Sequence, residues 1–268
     1  MGEGMRFELL GPLRAFRDGT PVDLGPPKQR AVLAVLLLQD GRAMSYDALV
    51  AAVWGDELPA HVRNLVQKYV SGLRRAFADA GPELAWTGTG YRLTGAAIDD
   101  LRDRRAVLRE AVAARDAGDL RRAGLLVRQA EAMWQGDFAE GLAGPCLAAE
   151  RRRFAEKRLM VLEARIEAEL ELGRYHECLH ELVHQVAAHP LRERPVWLLM
   201  LALYRSGRSS DALLAYEEAR SRIADAMGAD PGPALRALHE RVLRQDPALL
   251  GGGSTPVLLG GGGAAPAA

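Results

Sequence analysis

The chemistry most legible in this chain lies in the stretch His61–Ala78. Val62, Val66, Tyr69, Val70, Leu73 and Phe77 recur at three- and four-residue steps, which predicts a helix with one core-facing stripe. The other side carries Arg63, Asn64, Gln67, Lys68, Ser71, Arg74 and Arg75, and no acid lies between Glu57 and Asp79. Surface helices ordinarily mix acids with bases. This face offers only cations, amides and a hydroxyl. Those groups suit the major groove of double-stranded DNA, where arginine pairs with guanine, amides pair with adenine, and lysine or serine meets phosphate. Thr87, Thr89 and Arg92, further along, are candidates for the backbone of the neighbouring groove. Between Leu58 and Arg92 five bases (Arg63, Lys68, Arg74, Arg75, Arg92) face two acids (Asp79, Glu83), a surplus of three. So small a surplus predicts modest, salt-sensitive affinity for a monomer, and hence a homodimer or a partner protein on DNA.

The elements around this helix must position it. RFELLG and LRAFRDG alternate polar and apolar residues around Gly-Pro, as short strands do, and PVDL (Pro21–Leu24) reads as another. Pro26 and Pro27 open a helix over about Lys28–Gln39. Ser45 is the expected N-cap of a second, short helix ending near Trp54, and Gly55–Pro59 forms a loop. Leu84–Leu93 reads as a β-hairpin with a glycine-rich tip. Strands, three helices and a hairpin in this order make a helix-turn-helix with a wing.

From Ile98 to about Leu250 the period is helical throughout. Gly118, Gly173 and Gly207 interrupt it, each followed five residues later by a small residue: Ala123, Cys178 and Ala212. Gly173 and Gly207 are 34 positions apart (207 − 173), the period of tetratricopeptide helix pairs. The fold is therefore expected to be mostly α: a winged helix-turn-helix (α+β) domain at 1–97, an all-α tetratricopeptide-like domain at 98–250, and a flexible glycine-rich tail at 251–268.

The remaining constellations carry no catalysis. His176, His180 and His184 stand at i, i+4 and i+8, but no cysteine–histidine pattern completes a metal site, so they read as a polar stripe. Trp54, Trp134 and Trp197 sit at apolar helix positions and read as core, while Trp86 is placed to brace the wing tip. Cys146 lacks any Cys/His/Asn arrangement, and the glycine runs of the tail lack the Lys-Ser/Thr of a phosphate loop. No catalytic residue, metal or cofactor is expected. With 35 Lys+Arg against 35 Asp+Glu the 268-residue chain is neutral, which excludes a generally cationic DNA coat but not a local basic face. The longest apolar run, Ala31–Leu38, falls far short of the roughly 20 residues of a membrane span. With no signal-peptide pattern and only two cysteines, the expectation is a cytoplasmic protein with no membrane partner. Two functions fit: a DNA-binding regulator, or a helical-repeat adaptor whose N-terminal module binds protein. The acid-free helix face favours the first.

Five segments carry a family resemblance: MRFELLGPL, PPKQRAVLAVLLL, LVAAVWGDELP, NLVQKYVSGLRRAF and TGTGYRL. Together they resemble the OmpR/PhoB-type winged helix of the Streptomyces antibiotic regulatory protein family. His189–Arg220 and Met227–Leu243 resemble that family's bacterial transcriptional activation domain, and the likeness runs from Met5 to Leu250. It implies a transcriptional activator of an antibiotic (secondary-metabolite) biosynthetic gene cluster, which binds direct repeats near promoters and contacts RNA polymerase holoenzyme. Larger members carry a nucleotide-binding domain after the activation domain, so this chain resembles the small type. One position departs from the pattern: Gly72 stands between Ser71 and Leu73, where the family often carries an arginine.

Overall fold

A computed structural model describes residues 4–78 and 80–251; the predicted tail beyond Gly251 lies outside the described residues. The chain packs as two units. One runs from the N-terminus to Arg109 and includes Gln129–Arg158; the other comprises Glu110–Arg128 and the chain from Leu159 onward.

In the first unit three antiparallel strands, β1 (Met5–Glu8), β2 (Arg14–Arg17) and β3 (Thr20–Pro21), form one sheet. The third is only two residues long, where the sequence predicts a strand over Pro21–Leu24, and beyond it the Val22 amide still donates to the Ala15 carbonyl at 2.9 Å. Helix α1 (Pro27–Leu38) follows, with Pro27 in its first turn. Ala31–Leu37 are all buried, so α1 is apolar around its circumference and forms the centre of the unit. Strand β4 (Met44–Ser45) leads into α2 (Tyr46–Trp54), whose first turn is capped by the Ser45 hydroxyl accepting from the Ala48 amide at 3.2 Å. Helix α3 (Val62–Phe77) comes next, and β5 (Glu83–Trp86) and β6 (Gly90–Thr94) make the hairpin. β6 pairs with both β5 and β4, giving the sheet order β4-β6-β5. A Cβ on Gly90 would lie 1.9 Å from the Met44 carbonyl oxygen, so only glycine lets β6 approach β4 this closely.

Helix α4 (Asp99–Asp116) anchors the N-terminal strand. The Asp99 carboxylate accepts the Phe7 amide at 2.8 Å, and Asp100 accepts those of Leu9 (2.8 Å), Leu10 (2.6 Å) and Leu101 (2.8 Å). Burial nonetheless pushes the Asp100 carboxyl above its usual range.

Periodicity predicts helix throughout this part of the chain. Instead it breaks between α5 (Leu120–Ala132) and α6 (Pro145–Glu171). There the backbone pairs with the β1–β2 connection: the amides of Gln135, Ala139 and Glu140 donate to the carbonyls of Leu10, Leu9 and Gly11 at 2.7–3.1 Å. Trp134, Phe138 and Phe154 join the same core as α1.

The second unit is built from helices. α7 (Tyr175–Ala188), α8 (Glu193–Arg205), α9 (Ser209–Met227) and α10 (Pro233–Leu243) bury a second apolar core with the end of α6. Gly118, Gly173 and Gly207 all adopt left-handed backbone, φ +79°, +80° and +76°, and Ala123, Cys178 and Ala212 are buried after them. This is the winged helix followed by tetratricopeptide-like helices that the sequence predicts. Among the described residues no helix is long and apolar enough to cross a membrane.

Candidate nucleic-acid interface

α3 folds as an amphipathic helix because its apolar stripe meets the core. Val66, Val70, Leu73 and Phe77 are buried, and the half-buried Val62 and Tyr69 pack beside them. Its C-terminal end is held by Arg17, whose Nη2 donates to the carbonyls of Ala76 and Ala78 at 2.9 and 3.0 Å. A cation there also complements the helix dipole.

All seven polar residues predicted on α3, namely Arg63, Asn64, Gln67, Lys68, Ser71, Arg74 and Arg75, are exposed. Thr87, Thr89 and Arg92 of the hairpin are exposed too, Arg92 because β6 turns Tyr91 and Leu93 inward. Among the described residues none of the five cations in this set forms an ion pair with a carboxylate. Two of them rest on other partners. The Arg63 guanidinium lies 5.6 Å from the Tyr46 ring centroid. Arg74 Nε donates to the Leu84 carbonyl at 2.7 Å and so ties α3 to the wing.

Between α3 and the wing lies a cavity of about 400 Å³, lined by Tyr46, Arg63, Gln67, Val70, Arg74, Trp86 and Tyr91. Its lining holds two guanidiniums and no carboxylate, a setting that favours an anion. Burial raises the Tyr91 hydroxyl above its ordinary value, with Arg74 and Arg63 pulling the other way. Sequence reasoning does not find Tyr46, whose hydroxyl is buried without a hydrogen-bond partner. Trp86 does brace the wing, edge-on to Tyr91 at 5.0 Å, yet its ring stays 52% exposed on the cavity rim.

Gly72 does not belong to the exposed face. A Cβ there would stand 2.5 Å from Gln29 Oε1, because the buried Gln29 side chain of α1 crosses that point on its way to the Leu24 carbonyl. Helix packing accounts for this glycine.

The other candidates fall as follows. His176, His180 and His184 are exposed on α7, and among the described residues no three metal-ligating side chains cluster. Trp134 is core; Trp54 and Trp197 are half-buried, the former stacked on Tyr69 and the latter under the Arg194 guanidinium. Burial raises the Cys146 thiol and pushes that of Cys178 up to about 11, so neither is a ready thiolate at neutral pH.

Residues 99–243 match the family model of the bacterial transcriptional activator domain, and residues 19–93 match that of the C-terminal domain of transcriptional regulatory proteins. Over 256 residues the chain is 34% identical to the regulatory protein DnrI of Streptomyces peucetius, covering 91% of this chain and 94% of DnrI. The chain belongs to the Streptomyces antibiotic regulatory protein family. That family is one of transcriptional regulators rather than enzymes. The chain is also 44% identical over 247 residues to the regulatory protein AfsR of Streptomyces coelicolor, covering 91% of this chain but only 25% of AfsR. A solved structure of Mycobacterium tuberculosis EmbR, in complex with a low-affinity phosphopeptide, superposes with a TM-score of 0.83 at 38% identity. That match covers 92% of this chain and 66% of the EmbR chain.

Proposed function

We propose that this regulator binds double-stranded DNA sequence-specifically, with α3 in a major groove and the β5–β6 wing on the adjacent backbone. Residues 1–97 carry this activity and 98–250 carry activation. On this reading two copies occupy direct repeats near a promoter, contact RNA polymerase holoenzyme and activate a secondary-metabolite gene cluster. The observation that supports it best is the α3 face: seven exposed cations, amides and a hydroxyl with no carboxylate paired to them among the described residues. Arg63, Asn64, Gln67, Lys68, Ser71 and Arg75 meet bases and phosphates, Arg74 holds the wing in register, and Thr87, Thr89 and Arg92 meet the neighbouring strand.

The test is a gel shift of the full chain on promoter DNA of its own gene neighbourhood at two salt concentrations. Lys68→Ala with Arg75→Ala should weaken retention by about tenfold or more, and less so at the higher salt. Retention equal to that of the unaltered protein at both salts refutes the assignment.

A further inference from the structure

The register of the hairpin pairs Leu84 with Leu93 and Trp86 with Tyr91, so these four side chains share one face, and Ala85 and Arg92 share the other. The first face turns toward the core. Leu84, Leu93 and Tyr91 are 3%, 2% and 6% exposed on it. Trp86 belongs to the same set, yet it is 52% exposed, because the core ends before the last pair of the hairpin. Among the described residues it is the one aromatic in the set of exposed large apolar side chains; the others are aliphatic or methionine. Tryptophan carries a large apolar area, and leaving half of it in water forgoes much of what its burial contributes.

The position of the ring narrows what can cover it. Trp86 shares the cavity between α3 and the wing with Arg63, Gln67 and Arg74, all three exposed, so the space is open to a molecule from outside. Its lining holds two guanidiniums and no carboxylate. A group that fits there joins an apolar surface to a negative charge. A DNA strand has that pattern, since each deoxyribose presents a C–H face between two phosphates. With α3 in a major groove and the wing on the adjacent backbone, the strand that separates the two grooves passes between α3 and the wing, over this cavity.

Geometry selects the sugar over the base. Bases in a duplex are stacked and show the grooves their edges, so their faces are out of reach of a ring. A side chain that wedges between base pairs has to reach past the backbone. The tip of this wing is Thr87–Thr89, closed by the Thr87 amide donating to the Gly90 carbonyl at 2.9 Å. Trp86 stands below that tip, edge-on to Tyr91. We infer that the Trp86 ring packs against a deoxyribose of the strand crossing between α3 and the wing. The inference rests on the DNA reading above. It adds to that reading an uncharged contact, made by a residue whose type and position in the sequence suggest no more than a brace.

The test measures affinity of the full chain for promoter DNA and for an unrelated duplex over a series of salt concentrations. Trp86→Ala should weaken binding by about tenfold and Trp86→Phe by about threefold. An apolar contact releases no counterion, so the slope of log affinity against log salt should not change. A sugar carries no sequence information, so both duplexes should lose the same factor. A second readout does not depend on the alanine variant folding. Trp86 is the most exposed of the four tryptophans, Trp134 being buried and Trp54 and Trp197 half-buried. Saturating duplex should therefore protect the unaltered protein from fluorescence quenching by acrylamide, a neutral quencher, and that protection should be lost in Trp86→Phe. Unchanged affinity in Trp86→Ala overturns the contact, as does protection of equal size in Trp86→Phe. A reduced salt slope in Trp86→Ala overturns it too, since the ring would then act by holding a cation in place. A greater loss on promoter than on unrelated DNA would mean a base contact and overturn the sugar assignment. Salt-dependent binding that Lys68→Ala with Arg75→Ala weakens and Trp86→Ala does not would remove this contact alone. Failure to retain either duplex at any salt would remove the DNA reading and this contact with it.

Discussion

Carboxylate-paired arginines of the helical unit and the arginines of the α3 face are held in opposite ways. In the helical unit arginines are matched to buried or half-buried carboxylates, among them Arg128 and Arg174 to Glu169 at 2.6 and 2.9 Å, Arg194 to Glu167 at 2.9 Å, and Arg192 to Glu163, although Arg205 there rests on the Leu170 and Leu249 carbonyls instead. On α3 and the wing, Arg63 rests on an aromatic ring and Arg74 on a carbonyl, and neither meets a carboxylate among the described residues. A ring or a carbonyl orients a guanidinium without cancelling its charge. Matched arginines are spent on holding helices together, whereas those of α3 keep their charge for an outside anion.

The largest effect should come from breaking a matched set. The Glu169 side chain is only 2% exposed and joins α5 and α6 through Arg128 to the Arg174 turn. Removing one partner of a buried ionic group is costly. Here the arginines left behind are almost half exposed and can rehydrate, which places the loss at the low end of the usual range. Glu169→Ala should lower the unfolding free energy by about 3 kcal/mol in a urea titration, whereas Lys68→Ala should stay within about 0.5 kcal/mol. If the two variants cost the same, the contrast between the regions is not real. The acid limb of stability sharpens the point. Burial pushes the Glu169 carboxyl up, but its bonds with Arg128 and Arg174 together outweigh burial and hold it below its ordinary 4.5. A depressed acid stabilises fully above its unfolded value and loses that contribution as pH falls through its folded one. Glu169→Gln should therefore flatten the fall in stability below about pH 4.5.

A middle-sized effect separates two kinds of arginine within α3. Arg75 is exposed near the end of the helix, and Arg74 is tied to Leu84. Arg75→Ala should reduce the slope of log affinity against log salt by about one, as loss of one phosphate contact does. Arg74→Lys keeps the charge and loses the fixed Nε–carbonyl bond. It should leave the slope unchanged and weaken DNA binding by about fivefold, the worth of one hydrogen bond. Equal slopes for Arg75→Ala and the unaltered protein would show that Arg75 meets no phosphate.

These features were unequally legible in the sequence. The α3 stripe could be read because burial there follows a local period: Val66, Val70, Leu73 and Phe77 all point inward. Gly118, Gly173 and Gly207 could be read because a left-handed turn leaves glycine as its trace. The pairing of Gln135, Ala139 and Glu140 with Leu9–Gly11 could not, since it joins segments more than 120 residues apart and helical periodicity carries no sign of it. The Asp99–Asp100 anchor on β1 is hidden for the same reason. An acid pair before a helix reads first as favourable charge at its N-terminus.

The smallest effect concerns Gly72, where the family resemblance suggests a lost DNA contact and the structure suggests a packing constraint. Mid-helix glycine costs about 1 kcal/mol relative to alanine, so Gly72→Ala gains that much if nothing obstructs it. The Gln29 amide does obstruct it, with Oε1 and Nε2 2.5 and 2.8 Å from the new methyl. Displacing that buried amide breaks its 3.0 Å bond to the Leu24 carbonyl, a loss of about 1 kcal/mol. The two terms nearly cancel, so Gly72→Ala alone should change the urea-unfolding free energy by less than about 0.5 kcal/mol. In a Gln29→Ala background the obstruction is gone, and the same substitution should stabilise by about 1 kcal/mol. A non-additivity of that size assigns the glycine to the α1–α3 contact. Strict additivity, with Gly72→Ala stabilising in both backgrounds, would mean that the Gln29 side chain yields freely and that helix packing does not account for the glycine.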